Sequence, residues 1–401
     1  MNGRQRELWL LRAACFFQIF SFGIQWSFSG VWMRDQGLGE SLIGAVWSTS
    51  IFLWFLTGLV WGRVADRTGR TRDIVRAGCV LQAVALVYLS FCSTPASFFV
   101  YAVIAGISQP MVTTLMPLLV VTVLGSRARG RSYASYRVFG SIGYILANLV
   151  VPRLVADTPT LFWAGAASQL LALLPLIGIG AAPRPGRRSL GVGAVLARPQ
   201  LAGFLMAIFF FALALPAVFT FTTVYARELD ADTAFIGLLM ASQGLVALVG
   251  LPLIGWGVDR FGTRALLLTA FIAMPLRALA LSFVTGYRWL LVPQVFHFFT
   301  WAGLEVSGVL FVTGLVGPGS KATAQSMYMG AQVLGQFLGA AAGGYAAEHF
   351  GYVIMYRLAS LLSVVGLVIH LVVQLRIRKA EKRRRAGQAV RQSKDQTEGN
   401  R

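Results

Sequence analysis

Charge is scarce in this chain. Only 12% of its 401 residues are Asp, Glu, Lys or Arg, against 56% hydrophobic, a balance too apolar for an ordinary water-soluble protein. Acidic residues are the rarer kind, 15 against 35 basic. The basic residues fall in short stretches between apolar runs and in one tail, so membrane topology explains the net charge of +20 better than a nucleic-acid-binding face does. Cysteine is nearly absent too: Cys15, Cys79 and Cys92 lie inside apolar segments with no CxxC or Cys/His cluster, so neither a disulfide framework nor a metal site is implied. The three histidines are scattered, no GxxxxGK[ST] loop occurs, and no two carboxylates share an apolar run. An enzyme would need one of these arrangements, and no catalytic set or cofactor is expected. The first apolar run has no small-residue cleavage site and is read as a retained helix.

What is present is a succession of apolar runs. Crossing the hydrocarbon takes roughly 20 helical residues, and twelve such spans are read at about 8–33, 42–62, 73–93, 96–124, 132–156, 160–182, 201–226, 234–258, 264–284, 288–315, 321–347 and 352–375. The break between the third and fourth rests on Ser93–Pro95 alone. Loop charge orients them. Arg4, Arg6, Arg63, Arg67, Arg70, Arg72, Arg127, Arg129, Arg131, Arg184, Arg187, Arg188 and Arg198 fall on one side, and Asp35, Glu40, Asp157, Glu228, Asp230, Asp232 and Glu348 on the other. The positive-inside rule then places both termini in the cytoplasm. The polar stretch 183–200, with APRPGRRS, is the candidate linker between bundles 1–182 and 201–375. The basic tail 376–401 has almost nothing to bury and is expected to be disordered beyond a turn or two, drawn to anionic lipid headgroups.

A short charged pattern occurs twice. GRVADRTGRTR at Gly62–Arg72 returns as GWGVDRFGTR at Gly255–Arg264, so that Gly62, Asp66, Arg67 and Gly69 match Gly255, Asp259, Arg260 and Gly262, with Arg70 following the first copy. The offset is constant, and each copy joins the second and third span of its half. Small glycines would let helix ends approach, and the aspartate can cap a helix N-terminus or pair with the arginines. The pattern resembles the signature loop of the major facilitator superfamily. That resemblance implies an all-α membrane protein of twelve transmembrane helices in two pseudo-symmetric six-helix bundles. It also implies a cavity between the bundles and alternating access by rocking, with the two loops as gating elements.

Substrate and coupling have to be read from polar residues inside the spans, where lipid makes them costly. Glu305 in the tenth span is the one carboxylate deep in any of them. Burial disfavours its charged form, so it can be neutral in one cavity state and ionised in another, as a proton carrier requires; the alternative is a hydrogen-bonded structural glutamate. His297 lies on the same segment, eight residues earlier, and Arg277 in the ninth span is at a matching depth across the hairpin. Together the three are similar to the proton-coupling cluster of the lactose-permease branch, with a wider His-to-Glu spacing; a packing role for His297 stays open. YASYRVFGSIGY at 133–144 puts Arg137 inside the fifth span, as a solute anchor or as a side chain reaching for the interface. With PQVFHFFTW at Pro293–Trp301, this stretch resembles the phenylpropionate-permease and nucleoside-symporter relatives.

Further solute contacts are assigned to Gln18, Gln25 and Trp26 in the first span, Gln109 in the fourth, Thr222 and Tyr225 in the seventh, and Gln325, Tyr328 and Gln332 in the eleventh. Amides and aromatics facing a cavity suit a small solute with a flat apolar part and hydrogen-bonding groups: an aromatic acid, nucleoside or glycoside. The competing role is interhelical hydrogen bonding. The fourth span has no arginine and the fifth reads GSIGYILANLVVP without the Gly-Pro-x-x-Gly-Gly element of drug antiporters. The chain is therefore read as a monomeric inner-membrane secondary transporter, a proton-coupled symporter whose partners are a small molecule, protons and the lipid bilayer. Efflux antiport, facilitative uniport, and a receptor or scaffold on the same fold are the alternatives.

Overall fold

The computed structural model describes residues 3–124, 130–155, 157–179, 199–316 and 321–398. Apart from its last two residues, the expected linker 183–200 lies outside them. The first six segments are α1 (Gly3–Asp35), α2 (Glu40–Thr68), α3 (Thr71–Ser90), α4 (Pro95–Thr113, continued by Leu115–Leu124), α5 (Gly130–Leu149, then Val151–Leu154) and α6 (Thr158–Leu171, then Leu173–Ile177). The last six begin with α7 (Pro199–Leu213, Leu215–Val218 and Thr220–Glu228), α8 (Thr233–Phe261) and α9 (Thr263–Leu281). α10 runs from Tyr287 to Gly314, and the stretch Lys321–Glu398 completes the chain. That last stretch breaks at Gly351, whose φ of 81° is left-handed, into α11 (321–350) and α12 (352–398). Ten of the described helices are long and apolar enough to cross a membrane. One of these, Thr323–Lys379, is two spans divided at Gly351, and α5 brings the number to twelve.

Local chemistry sets the helix boundaries. Thr94 and Ser97 form a capping box ahead of α4, with Pro95 at its first position, which builds the break expected at Ser93–Pro95. Asp157 accepts from the Thr160 N–H at 2.9 Å and Asp232 from the Phe235 N–H at 2.6 Å, capping α6 and α8. In the repeated loops, Gly69 with φ 67° ends α2 and Gly262 with φ 84° ends α8, a backbone region that favours glycine. Asp66 and Asp259 lie in the last turns of α2 and α8 and do not cap the following helices, whose N-cap positions are Arg70 and Gly262. The helices run on past the aspartates because only the glycine permits the turn.

Two segments differ from expectation. α10 is not a regular α-helix: Tyr287–Phe296 is wound as 3₁₀, and Phe298–Ala302 and Leu304–Gly308 as π turns. Pro293 has no N–H to give the preceding turn, and β-branched and aromatic neighbours crowd it. The basic tail continues α12 as helix to Glu398 rather than losing order. It is rich in Ala, Arg, Lys, Gln and Glu, and extending an existing helix needs no nucleation.

The two sets of six meet closely on the face opposite the repeated loops. A Cβ on Gly44 of α2 would collide with the Ala340 carbonyl of α11, one on Gly344 with the Glu40 carbonyl, and one on Gly237 of α8 with the Asn148 carbonyl of α5. Between α1 and α7, Arg34 pairs with Glu228 at 3.2 Å and Asp35 with Arg227 at 3.0 Å. The Ser41 N–H donates to Glu348 at 2.7 Å, the Tyr352 hydroxyl donates to Glu40 at 3.1 Å, and Arg34 also pairs with Glu40. At the loop end the helices stand apart: a Cβ on Gly62 or Gly255 would meet nothing within 4 Å. Those two glycines therefore do not mediate close packing in this state.

Candidate functional site

Below the sealed face lies a cavity of about 320 Å³ walled by α1, α5, α7, α8, α10 and α11. Each wall is a helical stripe. Ile19, Phe22 and Trp26 face it from α1; Arg137, Gly140, Ser141 and Tyr144 from α5; Gln243, Gly244 and Ala247 from α8; Tyr328, Gln332 and Gln336 from α11. The steps of three, four and seven are those of one helix face. His297, Thr300, Trp301, Leu304 and Glu305 continue the wall on α10, with Leu215 and Phe219 of α7 closing it.

Several expected contacts are at this cavity: Arg137, Trp26, Tyr328, Gln332, His297 and Glu305 all line it. Phe22 and Trp26 stack with centroids 5.3 Å apart, and Trp26 meets Trp47 edge-on at 4.8 Å. The Tyr328 hydroxyl donates to the Leu304 carbonyl at 3.1 Å, joining α11 to α10. Glu305 is exposed rather than desolvated in this state; the cavity is open enough for water to reach the carboxylate, so the expected burial is not a feature of this conformation.

Arg277 stands directly behind the wall. It is fully buried, and its guanidinium donates to His297 Nδ1 at 3.1 Å, Thr300 Oγ1 at 3.2 Å, the Val218 carbonyl at 3.3 Å and Gln294 Oε1 at 2.8 Å. Its carbon lies 4.9 Å from the Phe219 ring centre. Arg277 and His297, placed at matching depth across the hairpin by the sequence, are thus in contact.

Other expected contacts are elsewhere. Gln18, Gln25 and Gln109 line a separate space of about 10 Å³ inside the first six segments, together with Gln82 and Gln169. Its size is about that of a single water. Gln25 donates to the Tyr101 hydroxyl at 2.7 Å and accepts from Gln82 at 2.6 Å and Gln109 at 2.9 Å, while Ser108 donates to Gln82 at 2.6 Å. These amides satisfy one another across α1, α3 and α4, the interhelical alternative to solute binding. Thr222 accepts from Tyr356 at 3.3 Å and Tyr225 donates to the Val284 carbonyl at 3.2 Å. Both are buried in the seal and do not line the cavity. Gln325 is exposed and also absent from the wall, because seven residues before Gln332 places it about 10 Å further along α11.

Sequence reasoning passed over Tyr144, Gln243 and Trp301. Their signal was available: Tyr144 is seven residues after Arg137, Trp301 is four after His297, and Gln243 is a lone amide in an apolar span. Gln243 is buried, and its Oε1 has no hydrogen-bond partner among the described residues.

Comparison with known proteins agrees with this architecture. The family model described as the MFS_1 like family matches residues 8–358. The multidrug resistance protein MdtG of Dickeya zeae (strain Ech586) is 24% identical over 299 residues, covering 70% of this chain and 72% of that protein. The xanthosine permease of Escherichia coli (strain K12) is 28% identical over 246 residues, covering 55% and 58%. Among solved structures, a mutant of the nucleoside transporter NupG superposes with a TM-score of 0.82 at 18% identity, covering 92% of this chain and 99% of that one. It shows the shared twelve-helix fold.

Proposed function

Because the chain belongs to the MFS_1 like family of major facilitator transporters, we propose that it is a proton-coupled symporter moving a small flat organic solute by alternating access. The observation that carries this reading is Glu305, an ionisable carboxylate in the wall of a cavity shared by the first and last six helices. Bundles 1–182 and 201–375 rock about the cavity, tethered by 183–200. With the repeated loops and both termini on the cytoplasmic side of the cell membrane, the sealed face is external and this conformation faces inward.

In the proposed cycle Glu305 takes a proton when the cavity opens outward, and solute binds against Arg137 and the Trp26 and Trp301 rings. Closure of the external face over the bound solute shuts the carboxyl group away from water, and opening of the loop end to the cytoplasm lets the proton leave. The stacked and edge-on aromatics, the amides of Gln243 and Gln332 and the Arg137 cation suit a nucleoside, glycoside or aromatic acid. Asp66 and Asp259 brace the loop end in the outward-facing state, when the helices around Gly62 and Gly255 draw together.

The resemblance to MdtG favours a second reading, proton-driven efflux. Purified protein in proteoliposomes, with labelled uridine and 3-phenylpropionate as probes, separates the two. Symport is supported by accumulation above equilibrium when the outer medium is acidified, and antiport by accumulation only when the lumen is the acidic side. No gradient-dependent flux of either probe would count against coupling.

A further inference from the structure

We infer that Glu348 is a latch that works in one conformation only: this carboxylate of α11 caps the N-terminus of α2 across the boundary between the two sets of six helices, and the cap exists only while the face opposite the repeated loops is sealed. The inference goes beyond the transport reading above, because it holds whatever solute or ion drives the cycle.

The first N–H groups of a helix have no partner within it, and a side-chain oxygen of the residue just before commonly satisfies one of them. α2 has no such oxygen of its own. Its N-cap residue is Gly39, which makes no side-chain cap, and the carboxylate of Glu40, the first helical residue, is turned to Arg34 at 2.9 Å and the Tyr352 hydroxyl at 3.1 Å. The missing oxygen comes from the other half of the molecule. Glu348 Oε2 accepts from the Ser41 N–H at 2.7 Å, where the aligned peptide dipoles of α2 favour a negative charge. Gly39 makes room for it: a Cβ there would lie 2.9 to 3.0 Å from the carboxylate atoms of Glu348.

The approach is built into α11. Ala340 and Gly344 lie against Gly44 and the Glu40 carbonyl, and one more turn along the same face brings Glu348 to the end of α2. The second half of the chain is built otherwise. At the offset that relates Gly62 to Gly255, Gly44 corresponds to Gly237, which meets the Asn148 carbonyl of α5 as Gly44 meets that of Ala340. Gly39 corresponds at the same offset to Asp232. Asp232 caps α8 from its own segment, accepting from the Phe235 N–H at 2.6 Å. A cap carried by the helix it serves is present in every state and favours none, whereas a cap supplied from across the boundary is lost when α2 and α11 separate. Glu348 therefore biases the molecule toward the sealed state, and glycine at position 39 leaves the place open for it.

The test reads conformation rather than flux, so it decides the latch even if neither labelled solute is transported. Pulsed EPR between spin labels at Ser93 and Thr285, exposed in connections of the two halves, follows the sealed-to-open ratio of full-length protein in nanodiscs with the buried cysteines changed to alanine. Amide hydrogen exchange follows the first turn of α2. Glu348→Ala should shift the ratio about 2- to 30-fold toward open, the effect of losing one helix cap, and speed exchange at Ser41. Glu348→Gln, which keeps an acceptor without the charge, should fall between that variant and the parent. Gly39→Ser gives α2 a cap of its own and should cause a similar shift, after which Glu348→Ala adds less than about 2-fold. Asp232→Ala should lower the thermal midpoint without moving the distance distribution. An unchanged ratio and unchanged exchange in Glu348→Ala overturn the inference, as does an undiminished effect of Glu348→Ala in the Gly39→Ser background. A shift in Asp232→Ala as large as that in Glu348→Ala would mean that losing any cap opens this face, and would overturn it too.

Discussion

Gly44→Leu should hold the transporter open on the face that is sealed here. At this point α2 and α11 touch backbone to backbone: a Cβ at position 44 would strike the Ala340 carbonyl and lie 3.2 Å from Gly344 Cα. The neighbouring atoms are main chain, so relief requires the helices to separate. Inserting methylenes into such a contact costs about 1–3 kcal/mol, and the cost falls on the sealed state alone, because the two helices part in the other one. A differential of that size shifts the ratio of the two states by about 5- to 150-fold toward the open side. Spin labels at Ser93 and Thr285, both exposed in the connections on the sealed face, report the change as a longer distance in pulsed EPR after the three buried cysteines are replaced by alanine. A distance distribution identical to the parent's, together with an unchanged transport rate, would refute the idea that this glycine contact is the closing surface.

Arg34→Ala should also favour opening. Its pair with Glu228 is partly exposed and contributes about 0–1 kcal/mol with strong salt screening, whereas Glu40 is buried, so most of the effect comes from the carboxylate left without its cation; a double-mutant cycle with Glu40→Gln read by the same labels checks this. Gln25→Ala should lower the thermal unfolding midpoint, because Gln82, Gln109 and Tyr101 lose a shared buried partner at about 1–3 kcal/mol. Solute KM should stay the same, and a selective KM change would return Gln25 to the solute site. Arg137→Ala should raise KM for 3-phenylpropionate at least about tenfold and affect neutral uridine less; equal effects on both would argue for a structural role.

Periodicity and turn chemistry made much of the architecture legible. The repeated loops turn where they do because Gly69 and Gly262 alone allow the backbone to reverse, and Thr94 with Pro95 marks the start of α4. The cavity stripe on α5 follows from one helix face counted from Arg137. What a given face meets was not legible. Gln18 and Gln25, seven residues apart, share a face, but that face meets Gln82 and Gln109 of neighbouring helices, while Trp26, one residue on, meets the cavity. Spacing reports which side chains are neighbours on a helix and nothing about the partner across from them. The winding of α10 was only half legible: Pro293 signals a lost hydrogen bond, but not whether the turns around it close as 3₁₀, α or π.

Proton coupling through one carboxylate is the central claim, and Glu305→Gln in proteoliposomes tests it most directly. The variant should lose accumulation of the labelled probe against its gradient while solute exchange continues at a rate comparable to the parent's. Accumulation driven by the proton gradient at the parent level in Glu305→Gln would contradict the account.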